Sequence, residues 1–316
     1  MKALALNDGR LSFEPDWAEA EIPEGTTRVR VIQAGICETD LQLVKGYMGF
    51  AGVLGHEFVG IAETGAFAGQ RVVGEINCIC SSCALCDDGL GNHCPNRTVI
   101  GILNHDGAFA ESLVVPEANL HAVPDDMPND LATLVEPVAA ALQIPDQVRL
   151  GSNQRAIVLG DGRLGNLCAQ VLKSAGCEVL VVGKHAAKLA RFERLQIRTC
   201  LLTDVPSDRT AEIVVDCTGS DSGLPLALSL VRPRGTVVMK TTVAGSHSLS
   251  LAPVVIDEIR LLGSRCGPFD KAIHAIQSGA VDLTDFVSAR YSLEQFEDAF
   301  EHARSANALK VVFDIG

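Results

Sequence analysis

The sequence predicts an α/β chain of two domains, a doubly wound parallel sheet and a mainly antiparallel β lobe. Three observations carry this. The chain has 316 residues, enough for two domains at roughly 150 residues each. From 155 to about 265, short apolar strands alternate with helical periodicity, as in a parallel sheet covered by helices. The first 137 residues lack that alternation. There VRVIQAG, GQRVVGE and FAESLVV stand between Gly- and Pro-rich turns, the mark of antiparallel pairing.

Composition excludes several classes. Hydrophobic residues make up 47% and charged residues 21%, which is ordinary globular usage rather than disorder. Twenty-six basic against 39 acidic residues leave a net charge of -13, which repels nucleic acid and anionic membrane surfaces. No run of 18 apolar residues is present, so no membrane span is expected. The apolar run in MKALALNDGRL is too short for a signal peptide, and the chain reads as cytoplasmic. Eleven cysteines in such a chain imply thiols and metal rather than disulfides.

Along the first lobe, Cys37 lies in AGICETD, and GHEFVG at 55–60 supplies His56 and Glu57. Glu136 follows much later, in LVEPVAAAL. A mixed Cys/His/carboxylate set with one position open suits a catalytic zinc. One thiolate and one carboxylate would balance its +2 charge. Between these segments, in a lobe at about 78–95, Cys80, Cys83, Cys86 and Cys94 are spaced C-x2-C-x2-C-x7-C. Short C-x2-C steps let thiolates face one ion across a tight turn, and a fourth closes the tetrahedron. Zinc or an iron–sulfur cluster fits such soft ligands. With every position filled, the site is structural. Cys78 falls outside the spacing.

The second domain opens on the apolar strand RAIVL at 155–159 and continues as Gly160-Asp161-Gly162-Arg163-Leu164-Gly165. Leu164, Leu167, Cys168, Val171 and Leu172 have helical spacing, Gly176 ends that helix, and EVLVV at 178–182 is the next strand. Between strand and helix, G-x-G-x-x-G is a dinucleotide fingerprint. The glycines permit the turn, the approach of the pyrophosphate and helix–strand packing. The helix N-terminus then offers free N–H groups to phosphate. Asp161 puts a negative charge into that loop, and Arg163 can offset it.

An acid at the end of the second strand would take the ribose hydroxyls of NAD. Here Gly183, Lys184 and His185 stand there, with Lys188 and Arg191 following. Cations without a carboxylate favour NADP over NAD, and Gly183→Asp should turn the preference toward NAD. Further strands at 212–216 and 234–240 complete the alternation. Thr218 and Gly219, after the first of these, fall where a dinucleotide lies.

These motifs, in this order, resemble the zinc-dependent medium-chain alcohol dehydrogenases of the medium-chain dehydrogenase/reductase superfamily. GICETD from Gly35 to Asp40, GHEFVG from Gly55 to Gly60, the four-cysteine lobe, Glu136-Pro137 and the glycine loop carry the likeness. The stretch Tyr291–Asp314, with KVVF from Lys310, resembles the family's closing segment. The polyol and threonine dehydrogenases are nearest, where Glu-Pro replaces a ligand cysteine. The resemblance implies a GroES-like catalytic domain over 1–137 and 267–316 and a Rossmann domain over 138–266, with zinc, substrate and nicotinamide in the cleft. It implies Cys37 and His56 as zinc ligands, with Glu57 and Glu136 competing for the third position, and Asp40 orienting His56. Two zinc ions per chain are expected, and a homodimer or homotetramer.

The implied reaction is hydride transfer between an alcohol or carbonyl substrate and NADP or NAD. Thr39 stands at the family's proton-passing hydroxyl. The relay histidine of many relatives is replaced by Gln42, which cannot act as a base near neutral pH. Tyr47 and Phe50, in KGYMGF, either line the pocket or pack. Two other readings remain: a zinc-stabilised NADP-binding sensor with little turnover, and a zinc-independent enoyl or quinone reductase. Gln42 supports the first. The cysteines oppose the second.

Overall fold

Thr26–Gly35 is the strand on which the first unit is built. Its side chains alternate, with Val29 and Val31 buried and Arg28 and Arg30 turned outward, the period-two pattern of a half-buried strand. Glu57–Ala62 pairs with it along one edge. Ser112–Pro116 takes the first half of the other edge and Lys310–Asp314 the second half. With Ser112–Pro116 off its path, the seven-stranded sheet runs Leu120–Ala122, Arg71–Gly74, Glu57–Ala62, Thr26–Gly35, Lys310–Asp314, Val287–Tyr291. Only the last pair in that order is parallel.

These features come from a computed structural model that describes residues 1–241, 249–305 and 307–316. The chain divides into one unit of Met1–Glu136 with Leu283–Gly316 and a second of Pro137–Asp282. In the first, Phe109 is fully buried. Its ring meets Phe313 edge-on at 5.0 Å and Phe300 at 6.3 Å. Gly55, just before His56, has φ +95, and a Cβ there would lie 2.4 Å from the Phe109 ring. The glycine of GHEFVG is thus fixed by the core beneath it.

The second unit is a six-stranded parallel sheet in the order Arg198–Leu201, Glu178–Gly183, Arg155–Leu159, Ala211–Asp216, Val231–Met239, Arg260–Gly263. The strand order reverses between Arg155–Leu159 and Ala211–Asp216, and ligands bind at such a point in open α/β sheets. Helix Arg163–Ser174 buries Leu167, Cys168, Val171 and Leu172, and Gly176 follows it at φ +90. This unit extends past 266, where the sequence reading ended it. Helix Phe269–Gln277 buries Phe269, Ala272, Ile273 and Ile276. The Gln170 amide then closes the unit, donating to the Asp282 carbonyl at 2.9 Å and accepting from its N–H at 2.6 Å.

Truncating Phe109 removes a ring that two other rings enclose. Phe109→Ala should lower the stability of the first unit by about 3–5 kcal/mol, read as a fall in denaturant midpoint with the slope unchanged.

Candidate active site

Cys37 is the N-cap of the short helix Glu38–Leu43, and His56 immediately precedes the strand Glu57–Ala62. Asp40, wholly buried, ties the two together. Its Oδ2 accepts the Cys37 N–H at 2.7 Å, and its Oδ1 faces His56 Nδ1 at 3.4 Å. A buried carboxylate thus stands beside the ring, where an acid that orients a ligand histidine is found. Cys37 Sγ, a His56 ring nitrogen and a Glu57 carboxylate oxygen lie within 4.8 Å of one another. Burial opposes protonation of His56, but the charges of Asp40 and Cys37 outweigh it and hold its pKa well above the ordinary value. A field that draws a proton so strongly into a buried pocket also draws a metal cation. The donor set fits zinc.

Glu57 has a second partner that the sequence reading missed. Lys310, 1% exposed, donates Nζ to Glu57 Oε2 and to the Ile36 carbonyl. Gly35 leaves the room, since a Cβ there would come within 2.8 Å of Glu57 Oε2. The count of one thiolate and one carboxylate against zinc left this lysine out of the account. Lys310 sets a buried cation against the Glu57 carboxylate. A lysine opening the apolar strand KVVF was the only signal. Glu136 is half-buried in the first turn of helix Val135–Gln147, and it does not join the 4.8 Å group.

Thr39 Oγ1 lies 3.8 Å from Cys37 Sγ. Gln42 donates to Glu38 Oε1 at 2.9 Å. Tyr47 and Phe50 pack against the core of the first unit, which favours the packing reading.

The four cysteines of the lobe also converge. Cys83 Sγ lies 3.5 Å from Cys86 and 3.8 Å from Cys94, and Cys94 lies 3.4 Å from Cys80. A tetrahedron with zinc–sulfur bonds of about 2.3 Å has edges of about 3.8 Å, so these thiols suit a single ion and are too close to enclose a multi-iron cluster. Backbone and side-chain hydrogen bonds from Ser82, with Asn96, lower Cys80 to about 5. Cys78 is buried and its thiol pushed up to about 11 by burial. None of the eleven cysteines is in a disulfide.

In the second unit the glycine loop follows strand Arg155–Leu159. Gly160 has φ +118, and a Cβ there would meet the Cys217 carbonyl at 2.6 Å. Gly162 has nothing within 4 Å of its Cβ position, which leaves open the approach a pyrophosphate needs. Helix Arg163–Ser174, with Leu164 in its first turn and Gly165 buried, starts there. Thr218 is held by Asp216, which accepts its N–H at 3.0 Å and its hydroxyl at 2.7 Å. Gly219 follows at φ +63. These residues fit a dinucleotide at the carboxyl ends of the strands.

One expectation about this pocket is overturned. A carboxylate does stand beside the end of the second strand, and it is Asp161, 8% exposed. Its Oδ2 accepts the N–H groups of Lys184 and His185, each at 2.8 Å, and His185 Nδ1 lies 3.1 Å away. A Cβ on Gly183 would sit 2.7 Å from Asp161 Cβ and Oδ2, so Gly183→Asp cannot place an acid there without displacing Asp161. Lys184 is exposed and Lys188 half-buried.

Removing Lys310 would leave Glu57 buried and unpaired, a costly state. Lys310→Met should cost about 3 kcal/mol in stability, and Glu57→Gln in the same chain should recover part of it, as read by denaturant unfolding of the three variants.

Known proteins share this arrangement in sequence and shape. The alcohol dehydrogenase GroES-like domain matches residues 23–125, and the zinc-binding dehydrogenase domain matches residues 164–283. A 2-dehydro-3-deoxy-L-galactonate 5-dehydrogenase of Pseudoalteromonas atlantica is 29% identical, with 92% of each chain covered. A D-arabitol-phosphate dehydrogenase of Enterococcus avium is 27% identical, over 94% of this chain and 92% of its own. A zinc-binding dehydrogenase of Sinorhizobium meliloti 1021, solved with NADP, has 26% identity and a TM-score of 0.89 over 99% of this chain and 98% of its own. With both domains in this order and relatives matched nearly end to end, the chain belongs to the zinc-type alcohol dehydrogenases of the medium-chain dehydrogenase/reductase superfamily.

Proposed function

We propose that the protein is a zinc-dependent oxidoreductase that passes a hydride between a secondary alcohol of the polyol or sugar class and a nicotinamide dinucleotide. The observation that carries this is the convergence of Cys37, His56 and Glu57 within 4.8 Å beside a buried orienting acid. The relatives' names, a sugar-acid and a polyol-phosphate dehydrogenase, support the substrate class. The four-cysteine lobe is read as a second, structural zinc site. Leu251, Val255 and Ile256 are exposed apolar side chains near the edge strand Arg260–Gly263, and they support assembly into a homodimer or homotetramer.

When bound, zinc supplies a Lewis acid for the alcohol oxygen and the nicotinamide a hydride acceptor. The chain's own part is position and charge. Asp40 holds Cys37 and His56 in place through one carboxylate. Lys310 keeps Glu57 neutralised, so the centre favours oxygen anions. The Thr39 hydroxyl, 3.8 Å from Cys37 Sγ, is the group placed to accept and pass on the alcohol proton. Gln42 is turned to Glu38 and has no basic atom, so the proton leaves to solvent without a histidine. For the dinucleotide, Lys184 and Lys188 favour the phosphorylated form, NADP, and the Asp161 carboxylate opposes it.

Turnover should appear in a panel of polyols, sugar acids and 3-hydroxy amino acids, followed by absorbance of the reduced nicotinamide with zinc-replete protein. Cys37→Ser and His56→Ala should each cut kcat at least about a thousandfold, the worth of several kcal/mol of electrostatic stabilisation. Zinc should fall from about two equivalents to one, with ADP-ribose binding unchanged. A variant that keeps turnover and loses no metal would refute the catalytic zinc reading.

A further inference from the structure

The loop acid Asp161 and the strand-end Gly183 are one feature. Gly183 lacks a side chain where this fold commonly carries the ribose-binding acid. Asp161 fills that space, with its Cβ and Oδ2 2.7 Å from the position a Gly183 Cβ would take. It also fills the charge. Its Oδ2 takes the backbone N–H groups of Lys184 and His185, each at 2.8 Å, and His185 stands at the N-cap position of helix Ala186–Arg194. Free N–H groups at such a turn are the donors a phosphate would seek. They are already committed to a buried anion of the chain's own. Oδ1 has the longer contact, 3.3 Å to His185 Nδ1, and a carboxylate oxygen keeps capacity to accept from a hydroxyl.

We infer that Asp161 is the residue that selects the dinucleotide, closing the 2′-phosphate position with its own carboxylate and accepting a ribose hydroxyl, so that the protein takes NAD in preference to NADP. The inference rests on the dinucleotide reading above. It explains the two departures in this pocket together, since an acid in the glycine loop and a glycine at the strand end each make room for the other. The nearby cations do not reverse it. Lys184 is exposed and Lys188 half-buried, whereas Asp161 is buried and fixed by backbone. A 2′-phosphate at that turn would meet a like charge at close range.

The test is binding rather than turnover, with ADP-ribose and 2′-phospho-ADP-ribose as probes that carry no nicotinamide, measured calorimetrically on zinc-replete protein. The native chain should bind ADP-ribose at least tenfold more tightly. Asp161→Asn keeps the shape and removes the charge, and Asp161→Ser also opens the backbone donors. Both should shrink that ratio by tenfold or more, Asp161→Ser chiefly by raising affinity for the 2′-phosphorylated probe. If the native chain prefers that probe, or the variants bind both and leave the ratio unmoved, the selector role is overturned and the dehydrogenase reading stands. Binding of neither probe to folded native protein would overturn both.

Discussion

The candidate site depends on one device used three times, a buried aspartate whose carboxylate accepts backbone N–H groups at the end of an element. Asp40 takes the Cys37 N–H, Asp161 those of Lys184 and His185, and Asp216 that of Thr218. Their exposures are 0%, 8% and 2%. Each of the three also reaches a neighbouring side chain. Asp40 faces His56, Asp161 His185, and Asp216 the Thr218 hydroxyl.

The metal centre adds a charge argument to this geometry. Cys37 and Glu57 together would neutralise a divalent ion, but Lys310 pairs with Glu57 in a pocket where both side chains are 1% exposed. A buried pair of this kind gives little net stability, since desolvation of both ions offsets their attraction. Its effect is to set a cation against Glu57 beside Cys37 and His56. With a divalent ion held there as proposed, one thiolate would stand against it, and the surplus positive charge would serve an oxygen of the substrate.

What the sequence showed and what it hid divide by distance along the chain. The four-cysteine lobe was legible because its ligands span only Cys80 to Cys94 and their spacing is set by turns. Strand Arg155–Leu159, the glycine loop and helix Arg163–Ser174 were legible because each is a local pattern of apolar period and glycine placement. The edge strand Arg198–Leu201, with its ends exposed and its middle half-buried, has no such pattern and went unread. Lys310 was unreadable for another reason. Its partner Glu57 lies 253 residues away, and nothing in KVVF says which sheet neighbour will bring a carboxylate to it.

Asp161 is visible in the sequence, but its place beside the end of the second strand is not. A sequence motif assigns the ribose acid to a position, the end of the second strand, whereas binding needs only a carboxylate at a place in space. The turn after Glu178–Gly183 and the turn after Arg155–Leu159 are neighbours because their strands pair in parallel from Arg155 with Glu178 to Leu159 with Val182. Either turn can therefore supply the group, provided the other leaves the volume free. Glycine at 183 is then the complement of aspartate at 161 rather than a vacant specificity position. Counting cations near the strand end led to the phosphorylated dinucleotide. The paired register of the two strands supports the opposite choice inferred above, because it brings Asp161 to the space beside Gly183.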